Sequence, residues 1–348
     1  MINIDGFNIN DGKTFIIAEM SANHLQDFNR AKKIIDAAAY SGADAIKLQT
    51  YRPDTITIDC KGKEFLATPG SPWEGMNLYE LYEKAYTPWE WHEELIRYSK
   101  EKGLICFSAP FDLSAIDFLE KLEVPAYKIA SYEIEDIPLI KKVASTGKPI
   151  ILSTGIATIE DIDRAIDTCI NEKNRNIILL KCLSAYPAPY NQMNLKTIPN
   201  MRETFEVEVG ISDHTLGTEV AIASVALGAT VVEKHLTLSR EDGGADSMFS
   251  MEPQEFKKMV NEIRNVEKAM GKISYRLTEK QILSKERGRS LYIVEDINKG
   301  ECFTTKNIKS IRPGFGLKPR YYEEIIGKYA TCDLKKGTAL NWNMVEGE

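Results

Sequence analysis

GISDHT at residues 210–215 and TVVEKHL at residues 230–236 each carry an apolar run into a polar sequence that contains a histidine. Between them, the alanine-rich pattern from Thr218 to Leu227 predicts a helix. A strand, a helix and a second strand in this order place two parallel strands side by side, with their carboxyl ends together. We therefore expect His214 and His235 to emerge at the same end of neighbouring strands.

The two histidines form a candidate metal site. A single histidine in such a place is often a core residue bonded to a backbone carbonyl, but two at matching strand ends favour shared ligation of one ion. The carboxylates beside them, Asp213 and Glu233, are expected to orient the rings. The polar loop that follows, SREDGGADS, contains Asp246 and is the kind of strand-end loop in which binding groups collect.

Eight apolar runs recur along the first part of the chain, and helical patterns separate most of them. They are FIIAEM near residue 15, DAIKLQ near 44, LICFSA near 104, AYKIAS near 126, PIILST near 149, NIILLKC near 176, EVEVGIS near 206 and TVVEKHL near 230. This alternation predicts a closed (β/α)8 TIM barrel. A doubly wound open sheet is the competing fold, but no glycine-rich phosphate-binding sequence follows the first strand.

A change in the sequence pattern near residue 285 predicts a second domain. From there, short β-like runs alternate with turn sequences such as Asn-Lys-Gly and Arg-Pro-Gly. We expect a barrel domain at 1–284 and a small β-rich domain at 285–348.

Composition narrows the functional classes. The chain has 348 residues, 43% of them apolar, and a net charge of −7, which argues against nucleic acid as a partner. The amino-terminal sequence lacks a signal-peptide pattern and no apolar run is long enough to span a bilayer, so we expect a cytoplasmic protein. Six cysteines without a CxxC spacing indicate neither a zinc ribbon nor a disulfide framework.

Catalytic groups of such barrels lie at the carboxyl ends of the strands. The polar residues at the predicted ends are Glu19, Lys47, Gln49, Ser108, Lys128, Ser131, Glu133, Ser153, Ser184, Tyr186, Ser212, His214 and His235. Lys47 and Lys128 stand inside apolar runs, where an unpaired ammonium is costly. With nearby serine hydroxyls they predict a cradle for phosphate or carboxylate. A Schiff-base lysine is the alternative role, although a metal pair would then be redundant.

The whole chain resembles the sialic acid synthase family, whose members join a barrel to a carboxyl-terminal antifreeze-like module, the SAF domain. The motifs that carry the resemblance are AEMSANH, IKLQTY, AYKIASYE, LSTG, GISDHT, EKHLTL and IRPGFG. Within the family, KLQTYRPDTIT, AYTPWEWH, LICFSAPFD and REDGGADSMFSMEP resemble the pseudaminic acid synthases. N-acetylneuraminate and legionaminate synthases are the alternatives within the family. A Schiff-base aldolase and a non-catalytic carbohydrate-binding protein are the alternatives outside it.

The resemblance implies a condensation of phosphoenolpyruvate with 2,4-diacetamido-2,4,6-trideoxy-altrose that releases phosphate. It implies that His214 and His235 hold Mn²⁺, Mg²⁺ or Co²⁺, which polarises the sugar aldehyde. Phosphoenolpyruvate is expected on the residues that match the family's contacts to its phosphate and carboxylate: Lys47, Lys128, Ser131, Ser153 and Ser212. Glu133 or Glu19 matches the base that activates water, and Asp246 matches a contact to the sugar.

Three further expectations come from the resemblance. Arg312, in IRPGFG, matches an arginine that the SAF domain of the other subunit delivers in a domain-swapped homodimer. The sequence Ser108-Ala109-Pro110-Phe111 stands where the family often has Ser-Thr-Pro-Phe, which leaves open whether Ser108 replaces the missing threonine hydroxyl. Ser184 stands where N-acetylneuraminate synthases often have asparagine, consistent with a different sugar.

Overall fold

The computed structural model describes residues 2–71 and 73–347. These residues divide into two compact units, the first ending at Gly271 and the second beginning at Lys272. The domain boundary expected at residues 284 and 285 stays a prediction.

The first unit is a closed barrel of eight parallel strands, as predicted. A short amino-terminal hairpin, β1 (Asn3–Ile4) and β2 (Phe7–Asn8), precedes it. The barrel strands are β3 (Phe15–Glu19), β4 (Ala45–Thr50), β5 (Ile105–Pro110), β6 (Tyr127–Ile129), β7 (Ile150–Ser153), β8 (Ile177–Cys182), β9 (Glu208–Asp213) and β10 (Val231–His235). The strands follow one another around the ring in chain order, and β10 closes it by pairing with β3.

Helices connect the strands and cover the outside of the barrel. They are α1 (Phe28–Ser41), α2 (Pro53–Ile56), α3 (Leu78–Ala85), α4 (His92–Glu101), α5 (Leu113–Lys121), α6 (Ile137–Ser145), α7 (Ile159–Asn171), α8 (Thr197–Phe205), α9 (Glu219–Ala226) and α10 (Pro253–Met270). Local sequence fixes their ends: the Asp27 carboxylate caps α1 by accepting from the backbone N–H groups of Asn29 and Arg30. Gly42 ends α1 with a φ of 81°, which glycine adopts without strain.

Two apolar layers hold the barrel together. Inward residues such as Phe15, Ile17, Phe107 and Val231 fill its interior together with hairpin side chains. Outward residues of the strands pack on the helices in a larger, separate core. Because side chains alternate along a strand, most barrel strands contribute to both layers. Within the described residues, no helix is long and apolar enough to cross a membrane.

The second unit has its own apolar core and a small antiparallel sheet. Its strands are β11 (Ser290–Ile293) and β12 (Ile308–Ile311), and its helices are α11 (Glu279–Lys285) and α12 (Tyr322–Ile325). Isolated bridges, such as Ile297 with Leu334, continue the β-type pairing outside the named strands. This confirms the predicted small β-rich domain.

Candidate active site

The candidate site lies at the carboxyl ends of the barrel strands, which we call the mouth. Here the inward positions are polar, whereas deeper inward positions are apolar. Gly210 allows β9 and β10 to lie close below the site, because a Cβ there would be 2.3 Å from the Val231 carbonyl oxygen. The inward residues that follow Gly210 on the chain are Ser212 and His214.

Lys47 lies between two carboxylates in the mouth. Its ammonium nitrogen is 2.9 Å from Glu19 Oε2 and 3.3 Å from Glu233 Oε1, and all three side chains are buried. Burial alone lowers the pKa of Lys47, but the two carboxylates outweigh it and raise this pKa. Lys47 is therefore a fixed cation at the inner end of the mouth.

Lys128 lies on β6, two strands along the barrel from Lys47, and makes a different set of contacts. Its ammonium donates to Ser153 Oγ at 2.7 Å, while Glu233 Oε1 is 3.9 Å away. Burial lowers the pKa of Lys128, because this more distant carboxylate does not fully compensate for the loss of water. Ser212 also donates to Glu233 Oε1, at 3.3 Å, so two lysines and one serine converge on this carboxylate.

The two histidines meet in the mouth as predicted. Their ring centroids are 5.3 Å apart. Burial lowers the pKa of His214 to about 4 and that of His235 well below its usual value, so both rings are neutral near pH 7. His214 Nδ1 donates to the Leu183 carbonyl at 3.2 Å, which leaves its Nε2 as the acceptor. Within the described residues, the buried His235 Nδ1 has no hydrogen-bond partner.

This pair has the properties of metal ligands. Divalent ions bind imidazole in its neutral form, through a ring nitrogen that carries no proton. Within residues 2–71 and 73–347, no group of three or more His, Cys, Asp or Glu side chains is arranged to hold a metal ion. An ion on His214 and His235 would therefore complete its coordination with water or substrate oxygens, which leaves positions open for catalysis.

The prediction that Asp213 orients a histidine is wrong. Asp213 points to the outer layer, where its Oδ2 accepts from Lys234 at 2.7 Å and its Oδ1 accepts from the Thr215 backbone. Strand alternation explains this, because neighbours in sequence face opposite sides of the barrel wall. Glu233 does face inward, but it binds the two lysines rather than either histidine.

A second polar network reaches the mouth from the loop after β10. Asp246 accepts a short hydrogen bond from Ser21, and its Oδ2 is 4.0 Å from His235 Nδ1. Gln49 joins this network to the lysine site by donating to both Ser21 and Glu19, at 2.9 Å each. Ser21 and Gln49 thus connect Asp246, beside His235, to Glu19 in the lysine site.

Glu133 and Glu19 are the two carboxyl groups with strongly shifted pKa values. Burial raises the pKa of Glu133 to about 7, with Lys128 opposing the shift, and the buried Oε2 of Glu133 has no partner among the described residues. Burial likewise raises the pKa of Glu19 to about 7, and Lys47 again opposes the shift. Both are therefore poised to exchange a proton near neutral pH.

Ser131, Ser184 and Tyr186 form the side of the mouth after β6 and β8. The hydroxyls of Ser131 and Ser184 are 2.7 Å apart. Gly155 makes this approach possible, because a Cβ there would be 2.2 Å from Ser184 Oγ. The Tyr186 ring lies 4.6 Å from that of His214, centroid to centroid.

The structure does not bring Ser108 together with these residues. Its hydroxyl is 2.6 Å from that of Thr50, which in turn contacts His92 Nε2 at 2.8 Å, between the barrel and its helices. Ala109 holds the inward position beside Gln49 instead. Ser108 therefore does not replace the missing threonine hydroxyl on the inner face. Arg312 lies in the second unit, exposed in the loop after β12, and its predicted contact with substrate stays a prediction.

Sequence reasoning missed three residues of the mouth. Cys182 ends β8 with its sulfur 3.8 Å from His214 Nδ1, and strand alternation from Ile178 was the signal that could have placed it inward. Ser21 links Gln49 to Asp246. Trp73 comes from a long loop whose path no local pattern predicts; its indole N–H donates to the Ala245 carbonyl at 2.8 Å.

Comparison with known proteins agrees with this geometry. The NeuB family profile matches residues 34–275, and the SAF domain profile matches residues 288–346. The chain is 46% identical to the pseudaminic acid synthase of Campylobacter jejuni over 337 residues, 97% of this chain and 98% of that protein. It is 46% identical to the pseudaminic acid synthase of Helicobacter pylori over 333 residues, 95% and 97% of the two chains.

A solved structure gives the same result at the level of the fold. The N-acetylneuraminic acid synthetase of Leptospira borgpetersenii, solved in complex with citrate, superposes with a TM-score of 0.73 at 31% identity, covering 81% of this chain and 94% of that one. Synthases of this family are generally metal-dependent. The chain therefore belongs to the NeuB family of phosphoenolpyruvate-dependent, carbon–carbon bond-forming synthases, with a SAF domain after its barrel in the sequence.

Proposed function

We propose that this chain condenses phosphoenolpyruvate with 2,4-diacetamido-2,4,6-trideoxy-β-L-altropyranose, in its open-chain form, to give pseudaminic acid and phosphate. The observation that carries the proposal is the convergence of two buried lysines and two neutral histidines at one end of the barrel. The 46% identity to pseudaminic acid synthases over nearly the whole chain supports this acceptor. N-acetylneuraminate and legionaminate synthases, which are sister members of the family, are the alternatives.

Phosphoenolpyruvate binds at the lysine site in this proposal. Lys47 and Lys128 supply fixed positive charge, and the hydroxyls of Ser131, Ser153 and Ser212 supply donors for its phosphate and carboxylate oxygens. Glu19 and Glu233 hold the lysines in place before the anion arrives. Bound in this way, the enol methylene is kept next to the acceptor aldehyde, which replaces an encounter in solution by a fixed geometry.

His214 and His235 would hold the divalent ion, Mn²⁺, Mg²⁺ or Co²⁺. When bound, such an ion supplies Lewis-acid polarisation of a carbonyl oxygen. The remaining polar groups near the pair, Gln49, Asp246, Ser184 and Tyr186, position the acceptor sugar by hydrogen bonds. All four lie at strand ends or in the loops that follow.

The bond changes are balanced without a redox partner. The methylene carbon of phosphoenolpyruvate bonds to the aldehyde carbon, whose oxygen takes a proton. Water then adds to the former enol carbon, and one of its protons passes to a carboxylate. The bond from that carbon to the phosphate oxygen breaks, and the remaining hydroxyl proton leaves with the phosphate, which gives the keto group of the product. Glu133 is our choice for this carboxylate, because its unpartnered Oε2 and its pKa of about 7 suit a general base. Glu19 is the alternative.

The proposal includes a domain-swapped homodimer in which Arg312 of one chain serves the barrel of the other. Near the start of the second unit, Ile273 is 94% and Tyr275 is 97% accessible, which leaves both apolar side chains available to a partner chain.

A phosphate-release assay tests the proposal. Phosphoenolpyruvate is supplied with the altro-configured diacetamido sugar or with N-acetylmannosamine, each with and without EDTA. We expect release with the altro sugar alone, abolished by EDTA and restored by Mn²⁺. Release with N-acetylmannosamine alone would overturn the acceptor assignment, and release unaffected by EDTA would overturn the role of the histidine pair.

A second experiment tests for Schiff-base chemistry. The lowered pKa of Lys128 is a property that a Schiff-base lysine also needs. Borohydride is added during turnover, and the intact chain is weighed by mass spectrometry. We expect no covalent adduct, because Lys128 acts through its charge. An adduct at Lys128 would establish the aldolase mechanism instead.

A further inference from the structure

A long connecting segment that contains α2 and α3 follows β4 and contacts two of the loops around the mouth. We call its described residues, 52–71 and 73–86, the arm. In the ring of eight strands, β4 and β8 are four places apart and therefore opposite each other. The arm nevertheless contacts the loop after β8, since the ring centroids of Trp73 and Tyr186 are 5.9 Å apart. The arm thus extends over the mouth to the loops after β8 and β10.

Specific contacts fix the arm in this position. The Trp73 indole N–H donates to the Ala245 carbonyl at 2.8 Å, next to Asp246 in the loop after β10. Near its other end, the Tyr86 carbonyl accepts from Gln26 Nε2 at 2.5 Å. Inside the arm, Asn77 Nδ2 donates to the Cys60 carbonyl at 2.8 Å. Trp73 is therefore held over the mouth by a defined hydrogen bond.

The side chains that the arm and the neighbouring loops place over the mouth are aromatic rings. Trp73, Tyr186 and Phe249 form a continuous set of rings, with Tyr186 and Phe249 5.0 Å apart and Phe249 5.1 Å from His235. Because the Trp73 N–H is already bonded to Ala245, the indole can offer a ligand only carbon surface. The lysines lie at the opposite, inner end of the mouth, inside the barrel strands.

We propose that Trp73 is a specificity-determining residue that packs against the methyl-bearing end of the acceptor sugar. This rests on the proposed function, in which the anion occupies the lysine site and the acceptor must lie between it and the arm. A deoxy sugar with acetamido groups places methyl groups against these rings. An acceptor with a hydroxymethyl end places a hydroxyl there without a partner, which costs binding energy.

The test compares Trp73→Ala and Trp73→Phe with wild type in steady-state kinetics, with the altro-configured sugar and with N-acetylmannosamine. For Trp73→Ala we expect the KM for the altro sugar to rise about tenfold or more and phosphate release with N-acetylmannosamine, absent in wild type, to become detectable. The KM for phosphoenolpyruvate is expected to stay within about twofold of wild type, since Trp73 contacts Ala245 and Tyr186 rather than the lysines or their serines. Trp73→Phe keeps an aromatic surface and should retain most of the preference.

Trp89→Phe is the matched control. Trp89 also donates its indole N–H to a backbone carbonyl, that of Tyr51 at 3.1 Å, but its ring stacks on Phe118 away from the mouth. It should leave the preference between acceptors unchanged. The proposal would be overturned if Trp73→Ala raised the KM for phosphoenolpyruvate as much as the KM for the altro sugar. An unchanged KM for the altro sugar would also overturn it.

Failure of the proposed function would look different. If wild type turns over another acceptor instead of the altro sugar, the acceptor assignment falls, and the same variants are assayed with the acceptor that is used. A selective rise in the KM for that sugar would still place Trp73 at the acceptor, whereas no selective rise would remove Trp73 from it.

Discussion

Glu133 and Glu19 are two buried carboxyl groups that differ in their surroundings. Glu19 lies 2.9 Å from a lysine and accepts from Gln49, whereas one oxygen of Glu133 has no partner in the described part of the chain. Burial is the main cause of both raised pKa values. Oε2 of Glu19 lies beside the Lys47 ammonium, whereas Glu133 forms no ion pair among the described residues, so Glu133 can take a proton from water without disturbing an ion pair.

The assignment of Glu133 predicts a pH dependence. Below about pH 7 the Glu133 carboxyl is protonated and cannot act as a base, so kcat/KM should rise as the pH increases through about 7. Glu133→Gln should lower kcat by about 10²-fold or more, a typical loss for a general base. Steady-state rates across this pH range provide the measurement. Full activity in Glu133→Gln, together with a large loss in Glu19→Gln, would assign the base to Glu19.

Stability should change with pH in the opposite direction. Because the pKa of Glu133 is raised by folding, its contribution to stability is fully present at acid pH and is lost as the pH rises through about 7, by roughly 3 kcal/mol at most. Glu133→Gln should remove this part of the pH dependence. Urea denaturation of wild type and variant at several pH values measures it; parallel curves would contradict the assignment of the shift to Glu133.

At the scale of elements, the ends of β9 and β10 carry two interactions on opposite faces. His214 and His235 meet inside, while Asp213 and Lys234 form an almost completely buried ion pair outside. Lys234 also donates to the Thr215 carbonyl at 2.7 Å, so the ammonium ties together the two strand ends that carry the histidines.

Removing one partner of this pair should be costly. Lys234→Met leaves Asp213 buried without its cation, and we expect a loss of about 3–5 kcal/mol in the free energy of unfolding. The double change Asp213→Leu with Lys234→Met should recover much of it, because no charge is then left alone. Lys258→Met, which removes the exposed partner of Glu262 on α10, is the control and should change stability little. Equal losses in the single and double variants would contradict the ion-pair explanation.

The same elements show what the sequence could and could not predict. Apolar periodicity predicted all eight strands and placed the two histidines together, because both follow from local patterns. The interpretation of Asp213 was wrong because closeness in sequence was taken for closeness in space. The two-residue period of a strand predicts instead that Asp213 and His214 face opposite sides of the barrel wall. Ser108 shows the same limit, since its neighbour Ala109 holds the inward position.

At the scale of the whole molecule, contacts between residues far apart in the chain could not be predicted from local sequence patterns. The path of the arm depends on a hydrogen bond between Trp73 and Ala245, which are 172 residues apart. No local pattern encodes such a contact, so the cover of the mouth came only from the structure. The prediction that a partner chain supplies Arg312 came instead from the resemblance to a family, since the geometry of a single chain does not contain a partner.

Subunit complementation tests the domain-swapped dimer. Arg312→Ala and His214→Ala are each expected to abolish most activity. When the two variants are mixed and allowed to exchange subunits, a mixed dimer contains one intact site, built from the barrel of one chain and Arg312 of the other. About a quarter of wild-type activity should return, because half of the dimers are mixed and each has one working site of two.

The control for this experiment is the double variant. Arg312→Ala mixed with a chain that carries both His214→Ala and Arg312→Ala should regain nothing, because no intact arginine is then present. Recovery in that control, or no recovery in the first mixture despite subunit exchange shown by size-exclusion chromatography of tagged chains, would contradict delivery of Arg312 by the partner.

The alternation along β10 limits how this protein can change over generations. Glu233 and His235 face the mouth, while Val232 and Lys234 face the helices. Deleting one residue from this strand would exchange the two sets of side chains. A lysine would then take the inward position of His235, and the histidine would face the apolar layer. Point mutations can be sampled here one at a time, but insertions and deletions cannot. Heritable variation in length is thus confined to the connecting segments, and the arm is the longest of those that cover the mouth.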